Sequence, residues 1–357
     1  MTWTIDRLRV PATLDARDAH DFREFWRVGN ESWRRNTGTD VNDDEAADVL
    51  ERWRDETYRT HAGLVVRAGG SVAAVGSLEV EKTVERTAEI DVSVAVGHER
   101  TGVDDVLLAE IEDLAREHGR LVLQTWTGHR PVAGAEQLVP PTGAGAIPAN
   151  DPSTERMLRS GYELRQVERN SVFDLQGSYD AVDRQLEDAL AKAGPDYRIV
   201  WWSGPVPDEY ADGYARAVSR MSTDVPAGDM VTEQRQWDAA RLRERDARLA
   251  RAGALLGVTL VVHEPTGEVA AFNDLKIGAD RTRPTAQFGT LMMPEHRGRR
   301  LGAIVKCVGL RNWHEAVPES PCVSTFNAEE NRYMLDVNEA VGFRPVSYAA
   351  AWEKTLS

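Results

Sequence analysis

Thr290-Leu291-Met292-Met293-Pro294-Glu295-His296-Arg297-Gly298-Arg299-Arg300-Leu301-Gly302-Ala303-Ile304-Val305 joins an apolar strand to a helix through a turn dense in glycine and arginine. The helix continues with apolar Ile304, Val305, Cys307, Val308 and Leu310, the periodicity of a helix packed on a sheet. A strand that feeds a helix through such a turn aims several unpaired backbone N–H groups and the positive helix end at one point, which suits a pyrophosphate. Glycines let the backbone approach that ligand closely, and Arg297, Arg299 and Arg300 can add charge-assisted bonds.

The pattern around this stretch occurs twice. Ile5–Val10 as a strand with a helix through Asp21–Val28 is answered by Tyr197–Trp202 and a helix from Glu209 to Met221. Hairpins follow in both halves, Gly63–Arg67 with Ser71–Val80 and Val258–His263 with Glu268–Ile277, each turning on glycine. Next come a turn, a helix and a strand: Val103–Glu117 with Leu121–Trp126, then Ala303–Glu315 with Pro321–Phe326. Asn150 precedes Gly161-Tyr162 by eleven residues, and Asn331 precedes Gly342-Phe343 by the same interval. The first copy carries about 16 extra residues, placed in the Pro- and Gly-rich segment His129–Asn150, a surface-loop composition. An amphipathic helix from Tyr179 to Ala193, closed by Gly194-Pro195, joins the copies. The expected domains are therefore 1–178, a linker helix at 179–195, and 196–357.

With 357 residues, 41% hydrophobic and 28% charged, the chain reads as a globular two-domain protein rather than a disordered or membrane one. It shows no long apolar run and no signal-peptide pattern at its start, so a cytoplasmic location is expected. A net charge of -15 without a separate basic segment argues against nucleic acid as a partner. Cys307 and Cys322 lack zinc spacing, and the histidines offer no two-ligand pattern, so neither disulfides nor a metal are expected.

The 290–305 stretch resembles the GNAT superfamily of acyl-CoA N-acyltransferases, whose signature Arg/Gln-x-x-Gly-x-Gly/Ala is met by Arg297 and Gly302, with Arg300 in place of the middle glycine. Asn331, Gly342 and Phe343 also match, while Asn338 stands where the family carries a tyrosine that protonates the leaving thiolate. A left-handed backbone at Arg300 would cost about 1–2 kcal/mol. The resemblance implies an α/β (α+β) fold: two tandem GNAT-like domains, each a mixed, mostly antiparallel sheet flanked by helices. It also implies acetyl-CoA as co-substrate, held at Leu291–Met293, Arg297–Ala303, Asn327 and Asn331, with backbone N–H groups near Leu291–Met293 polarising the thioester. The same turn in the first half, Arg100-Thr101-Gly102-Val103-Asp104-Asp105, puts two carboxylates where a pyrophosphate would lie. Each unit pair at about 4 Å costs about 4 kcal/mol at an effective dielectric near 20, so only the second half is expected to bind donor.

The expected reaction is acetyl or short-acyl transfer to a small-molecule primary amine. Attack needs a neutral amine and hence a base, but the strand positions where the family often has a glutamate are Gln287 and Ala286. Asp274 and Glu233 are the candidate bases, with Glu353 a further carboxylate; Tyr333, and less directly Tyr348, are candidate acids, and Asp229 a candidate substrate contact. Two other readings stay open: a non-catalytic coenzyme A sensor or interaction protein, and a peptide or protein N-terminal acetyltransferase. No membrane partner is expected, and a homodimer is left open.

Overall fold

The computed structural model describes residues 2–131 and 134–357; Val132 and Ala133 of the Pro- and Gly-rich segment lie outside the described residues. The first half runs β1 (Trp3–Arg7), α1 (His20–Thr37), α2 (Ala46–Arg54), β2 (Arg59–Ala68), β3 (Ser71–Glu81), β4 (Thr87–Val94), α3 (Val103–Glu117), β5 (Val122–His129), the short pair β6 (Gln137–Leu138) and β7 (Ile147–Pro148), α4 (Pro152–Arg159) and β8 (Glu163–Asp174). The helix α5 (Asp180–Ala193) leads to β9 (Tyr197–Ser203), α6 (Asp208–Asp224), α7 (Ala239–Arg251), β10 (Leu255–His263), β11 (Glu268–Ile277) and β12 (Thr285–Met292). A 3-10 turn at Pro294–His296, α8 (Leu301–Ala316), β13 (Cys322–Ala328), α9 (Arg332–Val341) and β14 (Arg344–Thr355) complete the chain.

Each half forms the expected mixed sheet with helices on it, and the two sheets are continuous. Strand order is β1-β2-β3-β4-β5-β14-β8-β13-β12-β11-β10-β9. The last strand of the second half, β14, lies between β5 and β8 of the first, and β8 pairs in turn with β13 of the second. The halves therefore exchange their final strands. The unbroken burial of Ala349 to Glu353 in β14 follows from this placement. Ala350 and Trp352 enter the first-half core with Leu107, Ile111 and Leu123, while Phe173 of β8 sits with Leu310, Trp313 and Phe343 in a second-half core.

Within each half one parallel contact is short. β4 meets β5 only over Thr87↔Val122 to Glu89↔Gln124, and β12 meets β13 only at Thr285↔Val323 and Ala286↔Ser324. Past those pairs the strands diverge, opening a groove toward the end of β12 that leads to the glycine- and arginine-rich turn. Among the described residues, no helix is long and apolar enough to cross a membrane.

Trp352 is fully buried and its indole N–H donates to Thr127 Oγ1 at 2.7 Å. Trp352→Ala should lower stability by about 3–5 kcal/mol, with the loss appearing in the first half. Hydrogen exchange should accelerate in α3 and β5 at least as much as in β10–β12; an effect confined to the second half would contradict the exchanged arrangement.

Candidate active site

The turn between β12 and α8 is built from two left-handed positions. Gly298 has φ 78° and Arg300 φ 57°, the latter the one non-glycine residue with positive φ among the described residues. Alternating such positions curls successive N–H groups inward into an anion-binding nest. The N–H groups of residues 298–302 find no acceptor among the described residues, and α8 begins there with its positive end. Arg297 and Arg299 are exposed beside the nest and make no ion pair with a described residue. Arg300 behaves otherwise. Its guanidinium turns back to α5, donating to Gln185 Oε1 at 2.7 Å and standing 3.8 Å from Asp188, so its side chain anchors the strained turn rather than facing the nest. Gly302 is needed for close packing, since a Cβ there would lie 2.7 Å from Met292 Sδ.

The groove between β12 and β13 is lined with amides. Gln287 bridges it, donating to Thr325 Oγ1 at 2.8 Å and accepting from Lys306 Nζ at 3.0 Å. Asn327 accepts a 2.6 Å bond from Asn338, which is buried, so Asn338 braces Asn327 where the family pattern has a phenol. Asn331 caps α9, its Oδ1 accepting from the Met334 N–H. The antiparallel ladder narrows the expectation for Leu291–Met293. Met293 N–H donates to Ala270 O, and the register Phe272↔Leu291 spends Leu291 N–H on β11 as well. Of the three, Met292 alone presents its N–H to the groove.

On the sheet face opposite α8 a cavity of about 490 Å³ lies between the halves, walled by α2 and β4 on one side and by α7, β11 and the segment 225–238 on the other. Asp274 opens into it and is buried. Its carboxylate accepts from Tyr214 Oη at 2.7 Å and from Gly289 N–H. Tyr214 in turn accepts from Arg245 at 3.2 Å. Burial pushes the Asp274 carboxyl above the usual range, opposed by Arg245, Tyr214 and Gly289. The Gly289 contact depends on a bulge: Asp274 faces Gly289 but Leu275 faces Gln287, leaving Phe288 as the extra residue on β12. A Cβ at Gly289 would meet the Phe272 ring at 2.7 Å. A glycine inside a strand signals such a close approach, so this contact was readable in the sequence. Tyr214 and Arg245 carried no such signal.

Asp274, on β11, pairs with Gly289 of β12, the strand that ends in the nest and whose Phe288 and Gly289 form part of the cavity wall. The other candidates lie apart from this pair. Glu233 does reach the cavity, but its carboxylate accepts from the N–H groups of Glu85, Arg86 and Thr87 and from Thr87 Oγ1. Burial works against its charge, yet these bonds hold its pKa below the usual carboxylate range, so it is a clamp with no free lone pair for a base. Glu353 likewise accepts from Val231 N–H at 2.7 Å and Gln124 at 3.0 Å. Asp229 sits exposed in a turn, outside the cavity wall that its neighbours Met230 and Val231 join. Tyr333 is exposed on α9 and Tyr348 lies on β14 between β5 and β8; neither approaches Asp274.

No family model and no curated sequence matches. Among solved structures, a tandem GNAT protein from the clavulanic acid biosynthesis pathway superposes with TM-score 0.72 over 99% of this chain and 98% of that one, at 23% identity. The fold is that of a tandem GCN5-related N-acetyltransferase. A GCN5-related N-acetyltransferase from Sphaerobacter thermophilus matches at TM-score 0.60 and 13% identity, covering 98% and 95% of the two chains. A glucosamine N-acetyltransferase region of a fungal multi-domain GH3 β-N-acetylglucosaminidase matches at TM-score 0.58 and 12% identity over 99% of this chain and 38% of that one.

Within this tandem GNAT fold the first-half turn differs from its partner in charge. Glu99 Oε2 accepts from Gly97 N–H at 2.9 Å, and Asp104 and Asp105 occupy the first turn of α3, where Arg159 pairs with Asp105 at 2.8 Å. The opening of this helix is therefore acidic where that of α8 carries no acid.

Lys306 is fully buried beside the groove, with Gln287 and the Phe343 ring as neighbours. Burial pulls its pKa down to about 7. Because the folded value lies below the unfolded one near 10.4, the unfolded chain binds the extra proton between them, and stability rises with pH in that window. Denaturant titrations should show a contribution growing by about 2 kcal/mol from pH 7 to pH 9, absent in Lys306→Met; an unchanged pH slope in the variant would refute the assignment.

Proposed function

We propose that the chain is an N-acyltransferase that moves an acetyl or short acyl group from coenzyme A to a small-molecule primary amine, with the chemistry in the second half. The observation that carries this reading is the pairing of the 298–302 nest with the buried Asp274 across a single strand. The nest and the free cations Arg297 and Arg299 suit the pyrophosphate, and the groove suits the pantetheine arm. Met292 N–H, aimed into the groove, suits the thioester carbonyl. A cavity of about 490 Å³ is the size of a small-ligand site rather than a peptide track.

In this reading Asp274 takes the proton from the attacking ammonium, directly or through water, and its raised pKa makes it the stronger base. Met292 N–H stabilises the oxyanion that forms as nitrogen adds to the carbonyl carbon. The carbon–sulfur bond then breaks. A thiol of pKa near 8.5 leaves as a tolerable thiolate near neutral pH, so a dedicated phenol on α9 is dispensable.

Asp274→Asn should lower kcat/KM by at least about 100-fold while leaving acetyl-CoA affinity, measured by calorimetry, unchanged. Tyr214→Phe removes a bond that lowers the Asp274 pKa, so the acid limb of the kcat/KM profile should move to higher pH; a shift to lower pH would exclude Asp274 as the base. Replacing Arg297 by Ala together with Gly302 by Val should weaken acetyl-CoA binding more than tenfold, whereas Arg100→Ala should not; equal losses would sink the one-cradle reading.

A further inference from the structure

One cation in the central cavity has no bonding partner that its place in the wall would lead one to expect. Arg248 projects from α7 with its side chain 18% exposed. Its Nη1 stands 3.7 Å from Asp48 Oδ1 and its Nε 3.8 Å from Asp55 Oδ2, and neither separation is a hydrogen bond. Asp48 is itself buried, gives its other oxygen to Lys276, and leaves Oδ1 without a hydrogen-bond partner. A guanidinium carries five N–H donors, and those of Arg248 meet no acceptor within hydrogen-bond reach among the described residues. Burial pulls the Arg248 pKa down and Asp48 pulls it back, while Arg52 and Arg59 stand close enough to add repulsion. Lys276, Arg52 and Arg59 are each bonded to a carboxylate, so in this wall the unmet donors are those of Arg248.

Lys276 belongs to the same wall. It lies two residues after Asp274 on β11, and because the bulge is on β12, the alternation of β11 is intact and both side chains point to one face. Their Cα atoms are about 6.6 Å apart along the strand, and both line the cavity. The cavity thus has Asp274 at one point of its wall and, a short strand step away, Lys276 bonded to Asp48, with the unbonded fork of Arg248 beside that pair. A diamine entering with one nitrogen at Asp274 would place its other cation toward Arg248. A carboxylate would instead meet the planar fork of Arg248, whose geometry matches it.

We propose that Arg248, with Lys276 beside it, binds the carboxylate of the acceptor, and that the acceptor is therefore a small amino acid whose amine faces Asp274. The proposal rests on the transferase reading for the fate of the amine, but the carboxylate subsite is testable without turnover.

The test uses the full chain with acetyl-CoA and matched probes: glycine and glycinamide, β-alanine and β-alaninamide, lysine and cadaverine. Thiol release and the shift in unfolding temperature are read for each. At least one acid should exceed its uncharged or decarboxylated counterpart more than tenfold in kcat/KM, and should raise the unfolding temperature where the counterpart does not. Arg248→Met should raise KM for that acid more than tenfold, with little change in kcat, and abolish the preference. Arg248→Lys, which keeps the charge, should restore part of it and guards against a variant that merely misfolds. Equal use of acids and amides, preference for cadaverine, equal effects of Arg248→Met on both members of a pair, or no stabilisation by any acid would each overturn the subsite. Stabilisation by an acid that depends on Arg248, without thiol release from any probe, would leave the subsite standing and defeat the transferase reading.

Discussion

Backbone pairing of β14 with β5 on one side and β8 on the other is the constraint on which the rest of the molecule depends. A tandem protein whose halves met only through side chains would leave them free to move about α5, as interdomain contacts usually allow. Here the middle of the sheet is laddered across the boundary between the halves, and each core is completed by a strand of the other. The cavity wall therefore can be drawn from both halves without losing its shape. The segment 225–238 shows how this is used. Glu233, Val231 and Arg235 fasten it to β3–β4, β14 and β4 respectively, and Arg241 at the start of α7 forms a buried ion pair with Glu81 at 2.6 Å. Tyr58 and Trp237 sandwich the Arg241 guanidinium at 4.6 and 4.3 Å. Such a pair does little for net stability but fixes one arrangement.

Duplication supplied two grooves and two turns, and charge distinguishes them. Both halves have a short parallel contact that splays, and both turns place a left-handed residue at the start of a helix, Gly102 and Arg300. In the first half two acids, Asp104 and Asp105, stand in the first turn of the helix. In the second, the first turn of the helix carries no acid, and the one strained side chain is drawn away to α5 by Gln185. That detail answers how a non-glycine residue is tolerated there: a strain of about 1–2 kcal/mol is opposed by a side-chain bond of comparable worth.

Local pattern made most of the elements legible. The hairpins, α3, α5 and α8 are announced by periodicity and by glycine at their ends, and the turn at 297–302 by its composition. β14 was not. Arg344–Thr355 carries three successive alanines and a buried Trp352, a pattern consistent with burial on both faces but silent about which half receives it, because strand partners far apart in sequence leave no local trace. The same reason hides Tyr214 beside Asp274, sixty residues away, and Arg248 beside Asp48, on the other half of the chain. Asp274 is a candidate from its strand, and Glu233 is another from its loop, but nothing in the neighbours of Glu233 in sequence tells that three backbone N–H groups of another hairpin converge on it. Carboxylates serve here as clamps and, in the proposed reaction, as a base, and the count of donors separates the two.

That count also sets the chemistry. A buried carboxyl with no donors would remain protonated well above neutral pH and could accept nothing; one with the donors of Glu233 is held as a weak base. Asp274 lies between these limits, with burial raising its pKa and two donors, Tyr214 and Gly289, restraining the rise. Gly289 can donate only because the bulge at Phe288 turns its N–H toward β11 and because no Cβ intrudes on Phe272. The bulge therefore acts twice: it adjusts the basicity of Asp274, and it places Phe288 over Lys276, 5.1 Å from ring centre to nitrogen, a short strand step along the cavity wall. A single extra residue in β12 thus links the groove that suits the donor to both ends of the space that suits the acceptor.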